Sequence, residues 1–192
     1  MPHQTEITVV SGLPRSGTSL MMQMLAQGGL PLLVDDVRTA DEDNPRGYFE
    51  LDRVKRTRQD ASWIPAARGK VVKVVSQLLY DLPDSESYRI VFMQRSLAEV
   101  VASQERMLIR RGQPVPPPEA IASAFATHLD MLFDWLSRQS HMRFLEVHYN
   151  ELLSAPDRHI DRVVAFLDRS LDKQAMQSAI DRMLYRNRDG GA

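Results

Sequence analysis

The chain has 192 residues, 43% of them hydrophobic and 26% charged, with a formal net charge of −1. That length suits one domain with a substantial core, and the balanced charge gives no broad electrostatic reason to expect nucleic acid as a partner. There is no cysteine, which excludes disulfides, thiolate metal sites and a cysteine nucleophile. Residues 1–6 lack a basic stretch followed by an apolar one, and no apolar run reaches membrane-spanning length, so the expected setting is cytoplasmic with no membrane partner. Arginine outnumbers lysine twenty to four; codon bias accounts for this, and the count by itself shows no anion site.

In chain order, Ile7-Thr8-Val9-Val10 is a short β-branched run that predicts a buried strand. Apolar periodicity from Thr18 predicts a helix to Gln27, ended by Gly28-Gly29. Leu20, Met21, Met24 and Leu25 face the sheet, the methionines as core filler. Between strand and helix lies a turn bounded by Gly12 and Gly17. Glycines there let successive N–H groups converge on an anion at the positive end of the helix. The spacing is that of a P-loop, G-x-x-x-x-G-K-[ST], with one departure. Thr18 stands at the lysine position, Ser19 fills the Ser/Thr position, and the cation lies inside the loop at Arg15. An ordinary Gly-Pro-Ser turn is the plain alternative. The strand before, the helix after and the arginine favour the anion site.

Residues 35–69 are the least core-like part of the chain. Asp35, Asp36, Asp41, Glu42 and Asp43 precede an Asn44-Pro45-Arg46-Gly47 turn, then Tyr48-Phe49-Glu50 and a weakly helical, charged stretch from Leu51 to Trp63. Such a segment between two strands is either a solvated excursion or an acceptor-side lid. Residues 70–76 and 88–94 read as strands buried on both faces. Ser96-Leu97-Ala98-Glu99 reads as a capping box opening a helix to about Arg111. A proline-rich loop, residues 112–118, leads to a long helix with Ile121, Phe125, Leu129, Leu132, Phe133 and Leu136 on one stripe. Residues 142–149 make a fourth strand, and helices at 156–167 and 172–184 close the chain. Strands alternating with helices predict one three-layer α/β domain over residues 1–192, P-loop in type, with a central, mostly parallel sheet and helices on both faces.

Pro14-Arg15-Ser16-Gly17-Thr18-Ser19 resembles the 5′-phosphosulfate loop of the P-loop sulfotransferases, which use 3′-phosphoadenosine 5′-phosphosulfate (PAPS), in the variant carrying arginine in place of lysine. A second match is Arg95 at a strand end with Ser103 eight residues on, similar to the family's 3′-phosphate site. Ser103 lies nearly two turns past Ser96 and so points to the side of the helix start, where an arginine fork and a hydroxyl can meet one anion. Tyr149-Asn150-Glu151-Leu152-Leu153 looks like the family's stretch after the fourth strand, where the tyrosine lies near the nucleotide. A strand-end surface charge, a helix serine and a packed tyrosine are the bland readings of the three singly.

The resemblance implies metal-independent sulfuryl transfer from PAPS to a hydroxyl or amine of a small-molecule or peptide acceptor. It implies that Arg15 and the loop amides hold the bridging phosphate and sulfonate oxygens, and that Thr18 and Ser19 donate to the 5′-phosphate. Lys73 resembles a strand lysine of the family, and its ammonium is expected to reach the bridging or leaving oxygen. Two residues later, where cytosolic members carry a catalytic histidine, stands Val75. Glu50 is the expected base, desolvated by Tyr48 and Phe49, with Glu42, Asp36 and His148 as alternatives; the bland reading of Glu50 is a solvated carboxylate at a helix start. His128 reads as packing, and His3, His141 and His159 as surface residues. Arg186 and Arg188 stand in the polar tail, which lacks the cytosolic arginine-lysine-glycine motif. Two rival readings remain: a magnesium-dependent P-loop phosphotransferase, and a non-catalytic nucleotide-binding protein.

Overall fold

The computed structural model describes residues 5–35, 37 and 47–180. Four strands, β1 (Ile7–Gly12), β2 (Val71–Lys73), β3 (Tyr88–Gln94) and β4 (Met142–His148), form one all-parallel sheet in the order β2-β1-β3-β4. Seven α-helices are described: α1 (Thr18–Gln27), α2 (Ile64–Ala67), α3 (Leu97–Arg110), α4 (Pro118–Leu136), α5 (Tyr149–Ser154), α6 (Pro156–Leu167) and α7 (Lys173–Ser178). The expected α/β architecture is the one observed. Among the described residues no helix is long and apolar enough to cross a membrane.

The two-residue period of the strands sorts their side chains onto two faces. Val10, Val71, Val91 and Val147 pack with Met21, Met22, Met24 and Leu25 of α1 and with α5, α6 and α7. Val9, Val72, Ile90 and Phe92 pack with α2 and with Leu132 and Leu136 of α4. Each such side chain, taken fully out of water, contributes about 1.5–3 kcal/mol, so the two layers hold the sheet from both sides.

Connectivity then fixes where a site can form. From β1 the chain leaves through α1 toward β2 on one side; from β3 it leaves through α3 and α4 toward β4 on the other. The carboxyl ends of β1 and β3 lie side by side, Gly12 opposite Met93, and the chain diverges there. Divergence at adjacent parallel strand ends opens a crevice.

Several local expectations are corrected. The second strand ends at Lys73, not Ser76: Val74 still bonds to Val10, but Ser76–Asp81 is a 3-10 turn. Tyr149 opens α5 and does not end β4. Residues 51–67 are not solvated throughout, because Leu51, Val54, Trp63, Ile64 and Ala67 belong to the core. Trp63 can be buried because its indole N–H donates to Thr57 Oγ1 at 3.1 Å. His141 and His159 are not surface residues: His141 lies edge-on to Tyr88, and His159 is 2% exposed.

Burial holds the His159 pKa below its ordinary 6.5, outweighing the opposite pull of the Glu151 carboxylate 3.4 Å away. Burial moves His128 in the same direction. The unfolded chain therefore binds protons more readily at these sites, so their contribution is complete above about pH 6.5 and is lost as pH falls below it. The urea midpoint should drop between about pH 7.5 and about pH 5.5, and His159→Gln should show a smaller drop than the wild type.

Candidate active site

All four strands deliver a residue of interest at their carboxyl ends. β1 leads into the loop at Gly12, β2 ends on Lys73, β3 is followed by Arg95, and β4 by Tyr149. The sequence reading of separate motifs becomes one cluster because the strands are parallel and in register.

The loop after β1 has positive φ at Gly12 (147°), Arg15 (71°) and Gly17 (98°). A Cβ on Gly12 would lie 2.5 Å from the Met93 carbonyl oxygen and 2.4 Å from Ser16 Oγ. The hydroxyl of Ser16 is thus folded against the loop's own backbone. A Cβ on Gly17 would lie 2.4 Å from Cδ2 of Tyr149, so the phenol ring rests on the loop only because that side chain is missing. Gly17 is the residue before α1 and supplies no side-chain cap, so the first N–H groups of α1 have no side-chain oxygen from that position. Ser11 Oγ and Ser16 Oγ are buried with no hydrogen-bond partner among the described residues. A closed loop with buried hydroxyls and a helix start at its mouth suits an anion carrying several acceptor oxygens.

Lys73 is 8% exposed. Its Nζ donates to the Tyr48 carbonyl oxygen at 3.0 Å and to Ser19 Oγ at 3.3 Å, and it faces Glu50 Oε1 at 3.5 Å. The same three contacts place Glu50 beside the loop. The Tyr48–Glu50 segment is held from behind, with the Asp35 N–H donating to the Glu50 carbonyl at 2.9 Å. Glu50 was expected among apolar rings; the structure adds an ammonium to its surroundings.

Arg95, between β3 and α3, and Glu99, in the first turn of α3, pair at 2.5 Å with side chains 8% and 1% exposed. Asn150 Nδ2 donates to the other Glu99 oxygen at 2.9 Å, and the Arg95 guanidinium lies over the Tyr149 ring, 4.7 Å from its centroid. Arg95 Nη1 donates to the Arg15 carbonyl at 3.3 Å, and Arg15 Nε donates to Ser103 Oγ at 3.0 Å. Burial, the largest influence, pushes the Tyr149 phenol up, so it stays neutral at ordinary pH. The capping box is corrected here: Ser96 makes no side-chain cap bond, because Glu99 is turned inward to Arg95 and Asn150. Glu99 and Asn150 were missed by the sequence reading, because Arg95 precedes the helix and no helical spacing rule links it to Glu99.

The remaining candidates divide simply. Pro14 flanks Arg15 in the loop and is half-buried, and Thr18 is buried at the start of α1. His128 Nε2 lies 2.9 Å from Ser76 Oγ, and His148 is exposed. Asp36, Glu42, Arg186, Arg188, His3 and the Asn44-Pro45-Arg46 turn lie outside the described residues.

A family profile described as "Sulfotransferase domain" matches residues 6–188. The chain belongs to the sulfotransferase family. It is therefore an enzyme of sulfuryl-transfer type, as the loop and the Arg95/Ser103 spacing suggested. Its fold is similar to the sulfotransferase domain from the curacin biosynthetic pathway, with a TM-score of 0.58 and 16% identity over 92% of this chain and 78% of that one. The sulfotransferase domain of the Synechococcus PCC 7002 olefin synthase gives a TM-score of 0.58 and 18% identity, over 96% of this chain and 81% of that one. Mouse sulfotransferase SULT7A1 complexed with PAP gives 0.56 and 13% identity, over 92% of this chain and 65% of that one. At such identities the likeness is one of fold. Comparison with proteins of curated function gives no match.

Gly12→Ala should destabilise this sulfotransferase by about 1–3 kcal/mol, since both the positive φ and the Met93 carbonyl oppose a side chain there. Gly29→Ala, where the added Cβ meets nothing within 4 Å, should cost less. Chemical denaturation of the two variants checks the order.

Proposed function

We propose that this sulfotransferase takes its sulfuryl group from PAPS and passes it in line to a hydroxyl or amine of a small-molecule or peptide acceptor, without a metal ion. The observation that carries the reading is the pairing of two anion-suited places at adjacent strand ends. One is the loop after β1; the other is Arg95 with Ser103 after β3, and the Arg15–Ser103 bond of 3.0 Å joins them. A donor with phosphates at both its 5′ and 3′ positions uses both. A nucleoside triphosphate, with its phosphates in one run, uses only the first.

In this reading the loop N–H groups with Ser16, Thr18 and Ser19 hold the 5′-phosphate, and Arg95, Ser103 and Tyr149 serve the 3′-phosphate end. Pro14 shapes the loop, and Arg15 supplies its positive charge. Lys73 faces the sulfuryl group, because its ammonium already contacts Ser19 from the neighbouring strand. As the acceptor oxygen or nitrogen bonds to sulfur, the bond from sulfur to the 5′-phosphate oxygen breaks. The acceptor proton passes to Glu50, and the charge left on the phosphate is met by Lys73 and the loop. Fixed donors suffice for a group that carries less charge than a phosphoryl group. Residues 35–69 of the single domain form the acceptor side, an assignment supported by Tyr48 and Glu50 reaching Lys73.

Adenosine 3′,5′-bisphosphate at ~100 times its dissociation constant should stabilise the protein by about 2.7 kcal/mol, with or without magnesium. A thermal shift seen only with ATP and magnesium would overturn the donor assignment. Glu50→Gln should lower kcat by roughly 10²-fold or more while bisphosphate binding persists. Unchanged turnover in that variant would remove Glu50 from the role of base.

A further inference from the structure

Both carboxylate oxygens of Asp35 accept from backbone N–H groups, Oδ2 from Asp52 at 2.6 Å and Oδ1 from Val37 at 3.1 Å. Its own N–H donates to the Glu50 carbonyl at 2.9 Å. Two of these bonds fall on either side of Leu51, whose backbone is extended (φ −120°, ψ 112°). In extended backbone the carbonyl of one residue and the N–H two positions on lie along the same edge. Asp35 thus serves the Glu50–Asp52 stretch as a neighbouring strand would. Asp52 also opens a 3-10 turn, Asp52–Arg56, to which Leu51 gives no side-chain cap; the Asp35 carboxylate meets its first N–H instead. On the other side of Glu50 the chain is strained. Phe49 holds φ 53°, a left-handed state that a bulky residue rarely adopts and that persists only where its surroundings over-determine it. Phe49 packs against the α1 layer and Leu51 is buried in the opposite one, so the chain passes between layers at Glu50, beside Lys73.

Resting on the reading of Glu50 as the base, we propose that Asp35 is its positioning residue, clamping the backbone around Glu50 so that its carboxylate stays beside Lys73. The chemistry suits Asp35 to this task and to no proton transfer of its own, since both of its oxygens are engaged by backbone donors. A backbone N–H alone would make one bond and leave the stretch free to turn about it. The carboxylate adds a second bond two residues on, and two bonds on one edge fix the direction in which the Glu50 side chain leaves. A base displaced by about an ångström can cost roughly 10²-fold in rate, so a residue that touches neither donor nor acceptor governs turnover here.

PAPS turnover, followed as release of adenosine 3′,5′-bisphosphate with a phenol, an amine and water offered as acceptors, gives kcat for each variant. Asp35→Ala should lower kcat about tenfold or more, while the KM for PAPS and the calorimetric affinity for the bisphosphate stay within about twofold. Asp35→Asn, which keeps one acceptor oxygen, should lose less, and it carries the same comparison should the alanine variant not fold. The deciding measurement is the double-mutant cycle. With Glu50→Gln already in place, replacing Asp35 should change kcat by less than about twofold, because the residue it positions no longer takes the proton. A loss of equal size in both backgrounds would overturn the assignment, since a general weakening of the fold does not depend on Glu50. An unchanged kcat in Asp35→Ala beside a crippled Glu50→Gln would also overturn it, and would leave the base reading standing. Wild-type turnover in Glu50→Gln, or a wild type that turns over no PAPS, would overturn the base reading itself.

Discussion

A lysine that is 8% exposed has lost most of its hydration, and Lys73 is tolerated in this core because acceptors from the fold surround its amino group. Desolvating such a charge costs several kcal/mol unless hydrogen bonds replace the water. The replacements come from three different parts of the chain: Ser19 at the start of α1, the Tyr48 carbonyl, and the Glu50 carboxylate. Each is thereby fixed relative to β2. The start of the loop's helix, the Tyr48–Glu50 segment and the proposed base all meet at the Lys73 Nζ.

A second constraint is steric. The loop after β1 comes within contact of Met93 on one side and of Tyr149 on the other, and both approaches exist only where a Cβ is missing, at Gly12 and Gly17. Tyr149 in turn backs the Arg95 guanidinium, whose partner Glu99 reaches Asn150. The glycine pair of the first motif thus bears on the arginine of the second, far along the chain.

The sheet and the helices packed on it were legible because their signals are local and strong. A β-branched run marked β1, a near-continuous apolar run marked β3, and an apolar stripe marked α4. What failed were places where a tertiary partner overrides the local pattern. Glu99 fits a capping box in sequence, but a buried arginine competes for its carboxylate and wins. Trp63 sits in a charged stretch that reads as solvated, yet Thr57 satisfies its indole and lets the ring enter the core. In the site, the loop could be found by its glycine spacing, and the strand-end residues by their resemblance to the family's motifs. The bonds among them could not, because Arg15 to Ser103 spans 88 residues and follows from strand order, which spacing does not reveal.

The missing P-loop lysine takes on a different meaning with this geometry. Thr18 occupies its position, and the ammonium at the loop arrives from β2, through Lys73 on Ser19. A lysine on the helix would carry its charge to the loop and nothing more. A lysine entering from the adjacent strand can touch the loop and a carboxylate at once, since Ser19 and Glu50 both contact its Nζ. An amino group and a carboxylate are thereby brought together beside the loop, 3.5 Å apart.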